Sequence, residues 1–444
     1  MRVADRNMKF RPIAALRVEM AVKGETLVVG RLAWRDRVIY FEYDKAFLST
    51  GLELSPFRLR LAPGLIEGPE AVFERLHGLF NDSLPDGWGR LLMDRKLSQV
   101  GIPPGALTPL DRLAWVGRHG MGALVYHPEH PALGGTQGAI DLDRLADQAK
   151  MVIADNPKAV LDELIKVGGS PQGARPKALV GYAVDGACLL HGVDDIPDNY
   201  EHWIVKFRAA SDSIDIGAIE HAYAKMACDA GVNMPQTELF PASRGPGYFG
   251  VRRFDRNGNQ RLHMHTISGL LNLDHTLPSL GYAGMIKAAR QLTRRQADVD
   301  QAFLRMVFNV FAHNRDDHTK NHSFLMDDDG QWALSPAYDV TFSSGPGGEH
   351  ALDVHGEGRN PGVDHIRAVA KDVGVAEKAA ATITERVRTS VDRWPEFASG
   401  AGVSKKMSFL IDGRLNGVRQ RRPGPKAVAT QPRDPQATAS SRKK

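Results

Sequence analysis

The chain has 444 residues, 42% hydrophobic and 25% charged, which excludes a wholly disordered polymer and leads us to expect two or three packed units. Its two cysteines, Cys188 and Cys228, exclude a disulfide framework and a zinc pattern and suit a reducing, cytoplasmic compartment. No run is long and apolar enough to span a membrane, and the opening "MRVADRNMKFRPIAALRVEM" lacks the unbroken apolar core of an export signal.

Residues 15–43 read as a meander, "ALRVEMAV", "TLVVGRLA" and "VIYFEY", with "KGE" as the first turn. This opens a β-rich N-terminal subdomain over 1–129. It continues through "LHGLFNDSLPDGWGRLLMDRKLSQVG", where Pro85 is the expected first helical residue and Gly101 the stop, and ends on the strand "GALVYH". After "HPEHPALGGTQGA" a second unit is expected over 138–258. Leu142, Leu145, Ala146, Ala149, Val152 and Ile153 keep the spacing of one helical face, and a further helix starts at Asn156 and Pro157. The period then shortens. A glycine-rich loop, "GGSPQG" at 168–173, opens an antiparallel sheet built from "KALVGYA", "ACLLHG" and "HWIVKF".

A helix over Ile216–Ala230, closed by Gly231, puts Glu220 on a mostly inward stripe, where a carboxylate needs a cationic partner. The strands "QTELF" and "GYFGVRRFD" follow. A helical unit is expected over 259–420, with helices near 281–292 and 298–313. From Arg421 onward seven Lys or Arg face only Asp434, a net of +6, so residues 1–420 of a chain at +5 stand at −1. The tail 421–444 is too poor in large apolar residues to repay its ordering entropy and reads as a disordered, solvating terminus, not as a DNA-binding arm.

The stretch "NRDDHTKNHSFLMDDDGQWALSPAYDV", 314–340, holds the densest chemistry. His318 and His322 have the spacing of a zinc pair, but Thr319 stands where H-E-x-x-H chemistry needs its glutamate. "DDDG" lacks the alternating ligands of a calcium loop and sits between two strand-like pieces, so it reads as a hairpin turn. What remains is a phosphotransfer layout: Asp316, then Asn321 five residues on, then a hairpin, then Asp339. Kinases space a base, a metal-holding amide and a metal-holding carboxylate this way. The N-terminal half supplies the complement in order: backbone N–H groups of "GGSPQG" for phosphates, Lys206 in the third strand, and Glu220 as its ion-pair partner. It is no Walker loop, since Ala174 and Arg175 replace Lys and Ser/Thr and a strand follows. His318 reads either as a nucleotide-pocket residue or as a packed histidine bonding the loop backbone.

Together "LHGLFNDSLPDGWGRLLMDR", "GGSPQGARPKALV", "HWIVKF", "GVRRFDR", "NRDDHTKNHSFL" and "SPAYDV" resemble, over nearly the full length, the HipA family of bacterial toxin–antitoxin serine/threonine kinases. The resemblance implies a two-lobed, kinase-like α+β fold with an added N-terminal β-rich subdomain and a mainly helical C-terminal lobe. It implies Asp316 as base, Asn321 and Asp339 as Mg²⁺ ligands, and Lys206 on the phosphates of ATP. Gly169, Ser170 and Gly173 fall in the phosphate loop, Arg253 and Phe254 near the adenine-side hinge, and His318 and Lys320 at the nucleotide. Arg252 departs from the glutamate common at that hinge. Ser170 falls at the serine that such kinases autophosphorylate to switch themselves off; the bland alternative is a serine that helps the loop turn. The implied partners are a protein substrate, with an aminoacyl-tRNA synthetase as candidate, and a HipB-like helix-turn-helix antitoxin through which DNA contact mainly arises. Competing readings are an aminoglycoside-type small-molecule kinase and a non-catalytic corepressor that binds antitoxin.

Overall fold

The computed structural model describes residues 10–129, 139–156, 163–165, 173–186, 188–191 and 195–419. Gly169, Ser170, the helix expected to start at Asn156 and Pro157, and the tail 421–444 therefore lie wholly or mostly outside the described residues. The meander folds as expected into β1 (Ala15–Val22), β2 (Glu25–Arg35) and β3 (Val38–Tyr43). β4 (Leu65–Glu67) and β5 (Val125–His127) complete an antiparallel sheet in the order β4-β3-β2-β1-β5. Leu16, Val18, Met20 and Val22 alternate inward along β1, the period-two pattern of a sheet with one face packed.

The two longer helices of this region are α1 (Gly87–Gln99) and α2 (Pro109–Val116). α2 starts on a capping box, with Thr108 accepting from the Asp111 N–H and Asp111 accepting from the Thr108 N–H. α1 does not begin at Pro85. Asp86 is its extended N-cap residue, and no side chain caps it, because the Asp86 carboxylate is drawn away to other elements.

α3 (Leu142–Ile153) buries the expected stripe. Next comes a second antiparallel sheet of β6 (Lys177–Ala183), β7 (Leu189–His191), β8 (Tyr200–Lys206), β9 (Thr237–Phe240) and β10 (Tyr248–Arg252), ordered β7-β6-β8-β10-β9. α4 (Ile216–Asp229) packs on β9 and β10, and Gly231 at φ +87° ends it in the left-handed conformation.

The hairpin β11 (Arg256–Asn257) and β12 (Gln260–Arg261) leads to a third sheet, β13 (His263–Thr266), β14 (Ser323–Met326) and β15 (Trp332–Leu334), in that order. The turn from β14 to β15 holds "DDDG": Gly330 has φ +78°, and Asp327 accepts the N–H groups of Asp329 and Gln331, so these acids shape a turn. The rest is helical: α5 (Tyr282–Thr293), α6 (Gln296–Phe311), α7 (Val363–Asp372), α8 (Glu377–Asp392), α9 (Trp394–Gly400) and α10 (Lys405–Arg419). No helix of the described residues is long and apolar enough to cross a membrane.

Two cores hold these pieces, and neither follows chain order. The larger joins Val18 and Phe41 of the first sheet to Phe303 and Met306 of α6 and Leu415 of α10. The smaller joins Trp88 and Leu92 of α1 to Ala146 of α3 and to Val180 and Trp203 of the second sheet. α1, which precedes the break expected near 129–138, thus buries its apolar face under the unit that follows that break. A buried staple reinforces the first contact. His265 stands between Asp82 (Nδ1 to Oδ2, 2.6 Å) and Ser55 (Nε2 to Oγ, 2.9 Å). The alignment mimics an acyl-transfer relay, but all three residues are buried and the adjoining cavity is only about 10 Å³, too small for a substrate.

Candidate functional site

Lys206 ends the central strand of the second sheet, and Glu220 faces it from the second turn of α4. The Lys206 ammonium donates to Glu220 Oε2 at 2.8 Å and to Asp339 Oδ1 at 2.5 Å. The other Glu220 oxygen takes the Arg175 guanidinium, which also reaches Asp212 at 3.2 Å. Lys177 lies directly across from Lys206 in the β6–β8 ladder. A buried lysine and a half-buried one face to face repel, and the surrounding carboxylates are what make the arrangement tolerable. Burial lowers the Lys206 ammonium, yet Asp339 and Glu220 outweigh it and raise the group above its ordinary value. Lys177 shows the opposite result, with burial dominant and its ammonium held low. For Asp339 burial works upward, but Lys206 and then Lys177 keep its carboxyl well below the usual range. Asp339 also has φ +52°, a conformation that an aspartate tolerates better than most residues.

The loop after α6 carries the other half. Asp316 is 57% exposed, and His318 Nε2 lies 3.8 Å from its Oδ1. The Asn321 amide nitrogen donates to the Asp316 carbonyl at 2.6 Å. This closes the five-residue spacing on itself and turns the amide oxygen the other way. The adjacent Asp317 is fully buried. It accepts from Tyr282 Oη at 2.6 Å and from the Ala351 N–H at 2.8 Å, and His350 Nδ1 lies 2.8 Å from its Oδ2. Asn309 donates onward to Tyr282 Oη, and Asn314 to Asn309. Burial pushes the Asp317 carboxyl up, but His350 and these donors prevail and hold it low. Tyr338 Oη donates to the Lys320 carbonyl at 2.6 Å, tying the loop that carries Asp339 to the loop that carries Asp316.

Between these halves lies a cleft of about 690 Å³, within the range of small-molecule sites. Among the described residues proposed from sequence, Gly173, Lys206, Arg253, Phe254, Asp316, His318, Lys320, Asn321 and Asp339 all line it; Glu220 sits behind Lys206. Gly169 and Ser170 lie outside the described residues. Arg253 needs a revision of detail. Its guanidinium is committed to Asp255 by two bonds of 2.9 and 2.8 Å, so it brings no free charge to the cleft. Phe254 packs 5.5 Å from the Tyr338 ring, and Arg252 pairs outward with Glu201. His318 contacts His275 edge-on at 5.2 Å, and burial followed by Lys320 lowers His275 to about 4, so it is neutral near pH 7.

Sequence reasoning missed Asp86, Arg175, Lys177, His275 and Asp317. Asp317 had a legible signal: in a non-helical loop neighbouring side chains point opposite ways, so only one aspartate of the pair could face the cleft. Asp86 and His275 had none, because the elements that bring them in are remote in sequence. Among the described residues no group of three or more His, Cys, Asp or Glu could hold a metal. The oxygen donors of Asn321 and Asp339 are instead the hard ligand type that Mg²⁺ takes, one or two protein groups completed by phosphates and water.

The fold around this cleft is shared with known proteins. The protein Y4dM of Sinorhizobium fredii, whose name classes it with kinases, is 29% identical over 153 residues, which span 31% of this chain and only 36% of that relative. The HipA structure from Shewanella oneidensis MR-1, determined with HipB and operator DNA, superposes with a TM-score of 0.65 at 17% identity, covering 90% of this chain and 95% of that one. The model of the HipA N-terminal domain matches residues 20–127 and that of the HipA-like C-terminal domain residues 169–394. With these two models matched in chain order, the chain belongs to the HipA family.

Proposed function

We propose that the protein is an ATP-dependent serine/threonine protein kinase of the toxin–antitoxin type. The observation that carries this reading is the position of Lys206, whose one ammonium meets Glu220 on one side and Asp339 on the other in the lining of a nucleotide-sized cleft. In the reaction the acceptor hydroxyl oxygen forms a bond to the γ-phosphorus, the bond from that phosphorus to the β–γ bridging oxygen breaks, ADP leaves, and the hydroxyl proton passes to Asp316. Asp316 suits that task because it is exposed at the rim, where a protein side chain can reach it. Lys206 and Lys320 would hold phosphates. Asn321 and Asp339 would hold Mg²⁺, which neutralises developing charge on the phosphates when bound.

The test is transfer of label from γ-labelled ATP, scored separately in protein and metabolite fractions. Asp316→Asn is expected to lower transfer by about 10² to 10⁴-fold, the usual loss of a positioned base. Label in metabolites alone would favour the aminoglycoside-type alternative, and an unchanged rate would remove Asp316 from the chemistry.

We extend the proposal to Ser170, three residues before Gly173 in the sequence. A phosphate there adds close to two negative charges to the glycine-rich segment and would disfavour binding of the anionic nucleotide. Incubation with ATP should yield phospho-Ser170 by mass spectrometry, and Ser170→Ala should stay active longer; absence of phosphate at 170 in a turning-over enzyme refutes self-inactivation. An aminoacyl-tRNA synthetase remains the candidate substrate. A HipB-like antitoxin is the proposed partner, supported by the HipB-bound Shewanella structure, and a body with net charge −1 is consistent with DNA contact made mainly through that partner.

A further inference from the structure

Asp86 stands at the N-cap of α1, in the β-rich N-terminal region, and does not cap its own helix. One carboxylate oxygen accepts the Gly173 N–H, and the other accepts the Lys320 ammonium at 3.0 Å. The two groups it holds come from the end of the glycine-rich segment and from the Asp316 loop, 87 and 234 residues away in sequence. Backbone contact makes the same junction independently. The Trp88 N–H donates to the Gly173 carbonyl at 3.2 Å. Gly87 has φ +35°, and a Cβ there would fall 2.5 Å from Ala174 Cα, so this approach requires glycine. Lys320 is nearly buried, with its side chain 8% exposed, and Asp86 lines the cleft beside it.

We propose that Asp86 is a positioning residue of the phosphotransfer site, holding the Lys320 ammonium where it meets the nucleotide phosphates and, through the Gly173 N–H, fixing the end of the glycine-rich segment beside it. This rests on the reading of the cleft as a nucleotide site. A lysine has four rotatable bonds, and fixing it before the ligand arrives removes an ordering cost from binding and reaction. The N-terminal region is then part of the site and not an appendage to a complete kinase. Lys320 stays fixed whether or not a phosphate is present, because Asp86 offers it a charge-assisted bond.

The experiment compares wild type with Asp86→Ser, Lys320→Met and the double variant; serine remains a good N-cap, so α1 keeps its start. ADP affinity by calorimetry and the separate kcat and KM for ATP are measured, with thermal unfolding as a check on the fold. Asp86→Ser is expected to weaken ADP binding and raise KM about tenfold, the scale of one lost charge-assisted bond. The double variant should be no worse than Lys320→Met. Asp86→Glu, which keeps the charge, should recover part of the loss and carries the test if Asp86→Ser fails to fold. Wild-type nucleotide parameters in these Asp86 variants, or losses that multiply in the double variant, overturn the role of Asp86 alone. A wild-type protein that binds no ADP overturns the nucleotide reading along with it.

Discussion

Asp339→Ala is expected to reduce phosphoryl transfer at least about 10³-fold, because a divalent ion held at transferring phosphates supplies several kcal/mol of charge stabilisation and Asp339 is the only carboxylate among the two proposed ligands. The fold should survive. Lys206 loses one partner but keeps Glu220 at 2.8 Å, and Glu220 keeps Arg175, so the stability cost should stay near 2 kcal/mol, about that of one hydrogen bond to a charged group. Denaturant unfolding beside a γ-phosphate transfer assay across a Mg²⁺ titration separates the two effects. Transfer within tenfold of wild type would take Asp339 out of the site.

Asp317→Ala should behave the other way, costing about 3 to 5 kcal/mol of stability, since it strips a buried charged network of its centre. Tyr282, His350 and the Ala351 N–H would all lose their acceptor, and the chain of Asn309 and Asn314 behind Tyr282 would loosen with them. The pH dependence has a definite sign. The folded carboxyl titrates below its unfolded value near 3.9, so its contribution is complete above about pH 5 and is lost as pH falls through the folded value. The variant should therefore show a shallower loss of stability on the acid side than wild type. Equal stability of the two proteins at pH 7 would show that the network does not hold the loop. Activity should fall as well, because Asp316 is the next residue and rides on this anchor.

These two aspartates, with Asp316 between them in role, show how unevenly the site could be read from sequence. The spacing of Asp316, Asn321 and Asp339 was visible because it is local: one loop, one hairpin and one strand end fix it. Lys206 and Glu220 were visible for a different reason, since a carboxylate on an inward helical stripe demands a cation and a strand lysine stood nearby. Arg253 could be placed at the cleft but not aimed; its guanidinium turns to Asp255, a pairing only two residues away that competes with any ligand.

Alternating and helical periodicities alone determined the three-stranded meander, the antiparallel second sheet, the stripe of α3 and the turn nature of "DDDG", because each depends on neighbours within a few residues. Tertiary structure alone decided that α1 packs beneath the second sheet, that Asp86 faces Gly173 and Lys320, and that Lys177 is buried against Lys206. Contacts of this kind join residues some 30 to more than 230 positions apart. They arise from which apolar faces find each other when the cores close, and a sequence pattern marks a face without naming its mate.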